Sequence, residues 1–173
     1  MDELAFRIRP AERVDLAAFR DKDVVSLTHP EGRGRRSLPA SALQSGELLL
    51  LERYDNREKD WVVGGYVQWH MRVDDTLTLK DVGCVGTSVH AGIVKHLLDE
   101  LLRSLSPVAA TCVVRRDAEA WNEILASIPG FFVDGPPEYR RPHYYNIWKW
   151  SPDLARQTQR QVRGNTRQFS RRR

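Results

Sequence analysis

Polar and apolar positions alternate from residue 4 to residue 9, with Leu4, Phe6 and Ile8 set against Arg7 and Arg9, the period of a half-buried strand. Pro10 then stands where the first turn of a helix accepts proline, and Val14, Leu16, Ala17, Ala18 and Phe19 supply an apolar helical face up to Arg20. Residues 29–37, with Pro30, Gly32, Gly34 and the cluster Arg33, Arg35 and Arg36, read as a basic loop. Ser37-Leu38-Pro39 opens a short helix through Ala40, Ala42 and Leu43 that stops near Gly46. Segments 47–54 and 61–71 predict two strands of a hairpin around Asp55-Asn56. After the Asp74-Asp75 turn, 76–85 alternates Leu77 and Leu79 with Thr78 and Lys80, then becomes wholly apolar.

The clearest periodicity lies in 93–105, where Ile93, Val94, Leu97, Leu98, Leu101, Leu102 and Leu105 recur at helical spacing opposite Lys95, Asp99, Glu100 and Arg103. Pro107 ends that helix, and 108–114 has the continuous apolar character of a strand buried on both faces. Asp117 is the expected cap of a further helix through Trp121, Ile124 and Leu125, closed by Pro129-Gly130. Segments 131–133 and 143–150, separated by a Gly-Pro-Pro turn, complete an ending of two strands. The resulting order, β, α, α, β, β, β, α, β, α, β, β, predicts an α/β fold with a mixed sheet over 1–150, followed by an arginine-rich tail at 151–173.

Charge changes the picture only when it is divided. Net charge is +4 over 173 residues, yet 151–173 holds seven arginines against Asp153 alone, which is +6, so the remainder is −2. The basic isoelectric point thus belongs to the tail. No stretch approaches the roughly 20 apolar residues of a membrane span. The N-terminus has no signal-peptide pattern, so a soluble, cytoplasmic protein with no membrane partner is expected. Cys84 and Cys112 sit in apolar surroundings and read as small core residues.

The opening Phe6-Arg7-Ile8-Arg9-Pro10, the strand 76–85 followed by the helix 93–105, and the helix close Ile128-Pro129-Gly130-Phe131 together resemble the GNAT acyltransferase fold, over about residues 4 to 150. The resemblance implies an acyl-CoA, acetyl-CoA in the simplest case, lying between the strands 76–85 and 108–114, and an amine acceptor. Its phosphates would meet backbone N–H groups of a glycine-bearing loop and a helix N-terminus, whose dipole favours an anion. Thr87-Ser88-Val89-His90-Ala91-Gly92-Ile93 stands there. Aligned through Leu97-Leu98, the family's pattern (Gln or Arg, two residues, Gly, any residue, then Gly or Ala) falls on Val89, Gly92 and Val94, of which Gly92 matches. The implied donor site is Cys84, Val85, Val89, His90, Ala91, Gly92 and Ile93, with the N–H groups near Cys84 and Val85 polarising the thioester carbonyl. Where the family carries a catalytic carboxylate and a tyrosine, this chain has Thr78 and Ala126. The nearest groups able to serve are Asp81 and Ser127, with Tyr144 and Tyr145, beside His143, on the last strand.

Other constellations carry less. Five histidines (29, 70, 90, 96 and 143) include no His-Glu-x-x-His, and no metal site is expected. His70 is a possible cleft residue, and His96 an ion-pair partner of Asp99 or Glu100. Residues 140–150 interleave Arg140, Arg141 and Lys149 with aromatics, which suits either a stacking surface for nucleobases or a plain sheet strand. Arg156, Arg160, Arg163 and Arg167 fall on one face if 151–173 is helical, an arrangement that fits a phosphate backbone, although an acidic protein would satisfy the same charges and Gly164-Asn165 weakens the helix. Two further readings follow: a GNAT-like protein acting on or bound to nucleic acid, as is thought of the phage DNA-base-modifying proteins of the Mom type, and a non-catalytic interaction protein.

Overall fold

The computed structural model of the chain describes residues 5–20, 22–32 and 40–170, with side chains up to residue 161. The basic cluster Arg33, Arg35 and Arg36 and the helix start expected at Ser37-Leu38-Pro39 lie outside the described residues. Two compact units divide the chain, one from 1–71 with 78–106, the other from 72–77 with 107–173.

The first unit contains β1 (Phe6–Pro10), α1 (Asp15–Ala18), β2 (Val24–Ser26), α2 (Ala40–Gln44), β3 (Leu48–Asp55), β4 (Asp60–Met71), β5 (Thr76–Val85) and α3 (Ala91–Leu105). Sheet order is β1-β3-β4-β5, with β2 paired to β5. Pro10 is the last residue of the edge strand β1 and not the start of a helix. Its missing N–H costs no ladder bond there, and the chain passes on through the Ala11 N–H to the Leu48 carbonyl at 3.0 Å. The first helix is therefore one short turn, begun where the Asp15 carboxylate accepts from the Glu12 N–H at 2.6 Å.

No sequence pattern marks β2. Its residues show no alternation because both faces are covered: Val24, Val25, Ser26 and the following Leu27 are all buried. Between β3 and β4 the register steps from Leu51↔Gly65 to Glu52↔Val63, so Gly64 is the extra residue of a bulge. Gly65 marks a close approach: a Cβ there would sit 2.6 Å from Ile93 Cγ2 and 2.7 Å from the Gly83 carbonyl oxygen. The apolar stripe expected on α3 is buried from Ile93 to Leu102, and its last member, Leu105, is exposed. On the sheet's other elements Phe19, Val24, Ala42, Leu48, Leu50, Val63 and Tyr66 form one cluster. His96 packs its ring against Phe6 at 5.1 Å, while Glu100 pairs with Arg103.

In the second unit are β6 (Ala109–Arg115), α4 (Glu119–Ala126), β7 (Phe131–Val133), β8 (Glu138–Arg140), β9 (His143–Trp150) and α5 (Pro152–Ser170). β9 pairs with β6 on one side, and with β7 and then β8 on the other, all antiparallel. The sequence gives no sign of β8, a strand of three exposed residues. Asp117 does not cap α4. Its carboxylate is taken by Arg115, at 2.9 and 2.5 Å, and Ala118 occupies the cap position without a side-chain bond. The tail is a helix whose backbone continues through Gly164-Asn165 to Ser170. Gly130, at φ +93°, lets its first turn close in: a Cβ would meet the Ser151 carbonyl at 2.8 Å and the Ala155 Cβ at 2.9 Å.

Back in the first unit, two buried carboxylates share one cation. Arg9 grips both oxygens of Asp15 at 2.8 Å and reaches Glu52 at 2.9 Å, while Arg7 also pairs with Glu52. Hydrogen bonds from Arg9 hold Asp15 below the ordinary carboxylate range. Burial pushes Glu52 up, but the bonds from Arg9 and Arg7 outweigh it and leave that group low as well. Carboxylates depressed in the folded state add stability above about pH 4 and lose it as pH falls through their folded values. Arg9→Ala strands Asp15 and leaves Glu52 to Arg7 alone, and is expected to cost about 3 kcal/mol at neutral pH. Without the guanidinium, burial raises Asp15, so acidification relieves the variant and narrows the gap. Urea unfolding from pH 7 to 4.5 measures both; a neutral variant, or a gap that widens on acidification, contradicts this account.

Candidate functional site

The apolar end of β5 positions the first part of the site. Gly83 has no side chain, and the Tyr66 ring fills the space: a Cβ at 83 would fall 2.3 Å from Tyr66 Cε1. This lets the Tyr66 hydroxyl donate to the Asp81 carboxylate at 2.6 Å. The other Asp81 oxygen accepts from the Thr28 N–H at 3.1 Å, and the group is buried. The carboxylate singled out in the sequence thus sits inside a cluster whose other members, Tyr66 and Thr28, the sequence did not point to. Only the apolar run Val24-Val25 ahead of Thr28 gave any signal of it.

The edge of β5 is paired by the chain itself. Leu27 N–H donates to the Val82 carbonyl at 2.9 Å, Gly86 N–H donates to the Asp23 carbonyl at 2.8 Å, and the register sets Val25 opposite Cys84. In an antiparallel ladder the hydrogen-bonded pairs come at every second residue, so Val25 and Cys84, midway between those two bonds, exchange both of theirs. Val85, opposite Val24, is a non-hydrogen-bonded pair, and its N–H and carbonyl turn to the strand's other edge. Of the two residues whose N–H groups the sequence reading assigned to a thioester carbonyl, Cys84 donates to β2. Its thiol is buried against the His90 carbonyl at 3.9 Å, and burial raises it above its ordinary value.

Gly86, at φ +128°, turns the chain out of β5 in a conformation that side chains rarely adopt. After Val89, which is half-buried, His90 caps α3: its Nδ1 accepts from the Ile93 N–H at 3.4 Å, and its carbonyl accepts from Val94 at 3.2 Å. Ile93, buried, therefore has its amide covered by the chain's own side chain. The first-turn N–H groups of Ala91 and Gly92 have no acceptor within the helix. Gly92 is bare of side chain, and a Cβ would come 3.3 Å from the His90 ring.

The second unit holds the other candidates. Ser127 ends α4 and its hydroxyl donates to the Ile124 carbonyl at 2.6 Å. Tyr144 is 53% exposed and lies against Tyr139, itself 59% exposed and directly across the ladder, with ring centroids 5.0 Å apart. Tyr145 is half-buried beside His143, with the Arg140 guanidinium 6.0 Å from its ring. Arg116, Asp117, Pro142, His143 and Tyr144 line an open hollow of about 360 Å³. Asn122 fixes α4 to β9, accepting from the Asn146 amide and the Trp148 indole, each at 2.9 Å. On α5, Arg156 pairs with Asp153 at 2.5 Å and Arg160 is exposed, whereas the side chains of Arg163 and Arg167 lie outside the described residues.

His70 is an exposed partner of Glu47, at 2.7 Å. Burial pushes the Cys112 thiol up to about 12, as befits a core residue. Among the described residues no group of three or more His, Cys, Asp or Glu could hold a metal ion, and no helix is long and apolar enough to cross a membrane.

No family model and no curated protein matches this chain. Solved structures do. An acetyltransferase of the GNAT family from Bacillus cereus superposes with a TM-score of 0.63 at 14% identity, covering 85% of this chain and 97% of its own. The ribosomal-protein-S18-alanine N-acetyltransferase of Escherichia coli gives 0.57 at 18% identity, covering 84% and 93%. The Salmonella typhimurium protein yncA, solved with its cofactor acetyl-CoA, gives 0.60 at 18% identity, covering 85% and 94%. The chain has the mixed α/β fold of GNAT acyltransferases.

Proposed function

We propose that the chain is an N-acyltransferase that takes an acyl group, acetyl in the simplest case, from acyl-CoA and passes it to an amine. The observation that carries this reading is the fold itself, matched over 84–85% of the chain by acetyltransferases, one of them solved with acetyl-CoA. In the reaction the amine nitrogen attacks the thioester carbon. The C–N bond forms, the C–S bond breaks, the nitrogen sheds a proton and CoA leaves as a thiolate that takes one up.

Each residue has a place in that scheme. Ala91 and Gly92 supply helix N-terminal amides to the pyrophosphate, between Val89, His90 and Ile93, where the missing side chain of Gly92 leaves room. Cys84 and Val85 lie along the acyl arm, and the Cys84 N–H serves the carbonyl oxygen once β2 no longer holds it. Asp81 receives the amine proton through the Tyr66 hydroxyl that donates to it. Ser127, Tyr144 and Tyr145 are the hydroxyls for the thiolate, Tyr144 being the one most open to solvent. Two free buried cysteines suit the reducing cytoplasm.

A second reading concerns the partner. The net positive charge resides in the second unit, where exposed Tyr139 and Tyr144 stand beside Arg140, Arg141 and Arg116, and where α5 carries Arg156, Arg160, Arg163 and Arg167. Stacking rings next to guanidiniums fit single-stranded nucleic acid, as acceptor or as anchor. An acidic protein would use the arginines but not the ring pair.

Calorimetric titration with acetyl-CoA tests the first reading. Saturable binding is expected, weakened by about tenfold or more, roughly 1.4 kcal/mol, in Gly92→Trp; no binding at millimolar donor, by the parent or by a chain in which β2 is loosened from β5, would overturn it. For the second, an oligonucleotide of mixed sequence should bind with affinity that falls steeply with salt. Binding should weaken both on deleting 157–173 and in Tyr139→Ala/Tyr144→Ala. Retention in the truncated chain and in the double variant would remove the nucleic-acid reading.

A further inference from the structure

We propose that residues 23–27 form a strap that closes the donor edge of β5 in the free chain and has to come away before an acyl-CoA can occupy that edge. The inference rests on the acyltransferase reading and names what regulates its site.

The argument starts from what that edge can hold. A strand edge carries N–H and carbonyl groups at every second residue, and they take one partner strand at a time. Here they are spent: Val82 on Leu27, Cys84 on Val25 and Gly86 on Asp23. An acyl-CoA has two amides in its extended arm. Such a ligand would add to the edge as a further strand and needs the same groups that β2 now uses. Strap and donor are therefore exclusive at Cys84, the residue assigned to the carbonyl oxygen.

The strap is anchored at both ends and in its middle. Val24, Val25 and Leu27 are buried, and the Thr28 N–H reaches Asp81, so the segment also covers the carboxylate assigned as base. Gly32, at φ +60°, follows it closely: a Cβ there would fall 2.6 Å from Val25 Cγ2. Leaving would thus uncover the donor edge and break the Thr28 bond to Asp81 in a single movement. The apparent donor affinity is then the intrinsic one reduced by the fraction of chains whose strap is open.

Cys84 supplies the test, because Val25 is its directly opposed, hydrogen-bonded neighbour, a pair whose Cα atoms stand about 5.5 Å apart, within the span of a disulfide. Val25→Cys can be locked by oxidation and released by reduction in the same sample, with Val25→Cys/Cys84→Ser as the variant that cannot lock. Leu27→Ala, checked by melting, loosens the anchor without a new bond. Acetyl-CoA binding is expected to be lost by about tenfold or more on oxidation, recovered on reduction, indifferent to oxidant in the double variant, and about threefold or more tighter in Leu27→Ala. If the locked chain binds as the reduced one does, or Leu27→Ala binds no better than the parent, the strap is refuted and the acyltransferase reading stands. If parent, reduced and loosened chains all fail to bind at millimolar donor, the acyltransferase reading falls, and the strap's role with it. Binding by the loosened chain alone supports both.

Discussion

Buried backbone polar groups have to be paired, and much of the first unit follows from how the edge of β5 meets that demand. Its groups from Val82 to Gly86 lie among apolar side chains, and the chain covers them with its own residues 23–27. That choice draws the segment after α1 inward, buries Val24, Val25 and Leu27, and brings Thr28 to Asp81. On the same strand Gly83 carries no side chain, and the ring of Tyr66, whose hydroxyl donates to Asp81, occupies the space. A donor that binds by extending the sheet would compete with this arrangement.

The loop before α3 repeats the theme on a smaller scale. A helix N-terminus offers unpaired amides to an anion, yet His90 already satisfies the Ile93 amide, leaving those of Ala91 and Gly92 without an acceptor in the helix. The departures of Val89 and Val94 from the family pattern fit a site in which the chain's own groups do part of the work that a ligand does elsewhere. Gly92 is the position where both demands meet, since it must stay small beside the His90 ring and leave the amide open.

Strong periodicity made most of the architecture legible. The stripe of α3, buried from Ile93 to Leu102 with Leu105 exposed at its end, the hairpin strands around Asp55-Asn56 and the closing glycine after Pro129 are local signals that the structure has. What escaped was determined by tertiary contacts. β2 is apolar on both faces and too short to show a period, and β8 is three exposed residues held only by pairing with β9. Asp117 looked like a cap because Asp commonly is one, but Arg115 two residues away offers a bidentate partner, and a charged bond outweighs a cap. Pro10 has the fixed φ of a helix start, but it pairs with Leu49 at the end of the edge strand β1, a contact no local pattern announces. Within the candidate site, Asp81 and Gly92 could be picked out by residue type and position. Tyr66 and Thr28 could not, because their importance lies in whom they touch.

Residue-resolved amide hydrogen exchange, with and without saturating acetyl-CoA, tests the central claim most directly. In the free chain the amides of Val25, Leu27, Cys84 and Gly86 should exchange slowly. With the donor bound, Val25 and Leu27 should lose protection while Cys84 keeps it, having changed partners. Protection of Val25 and Leu27 that persists at saturating acetyl-CoA would contradict the account.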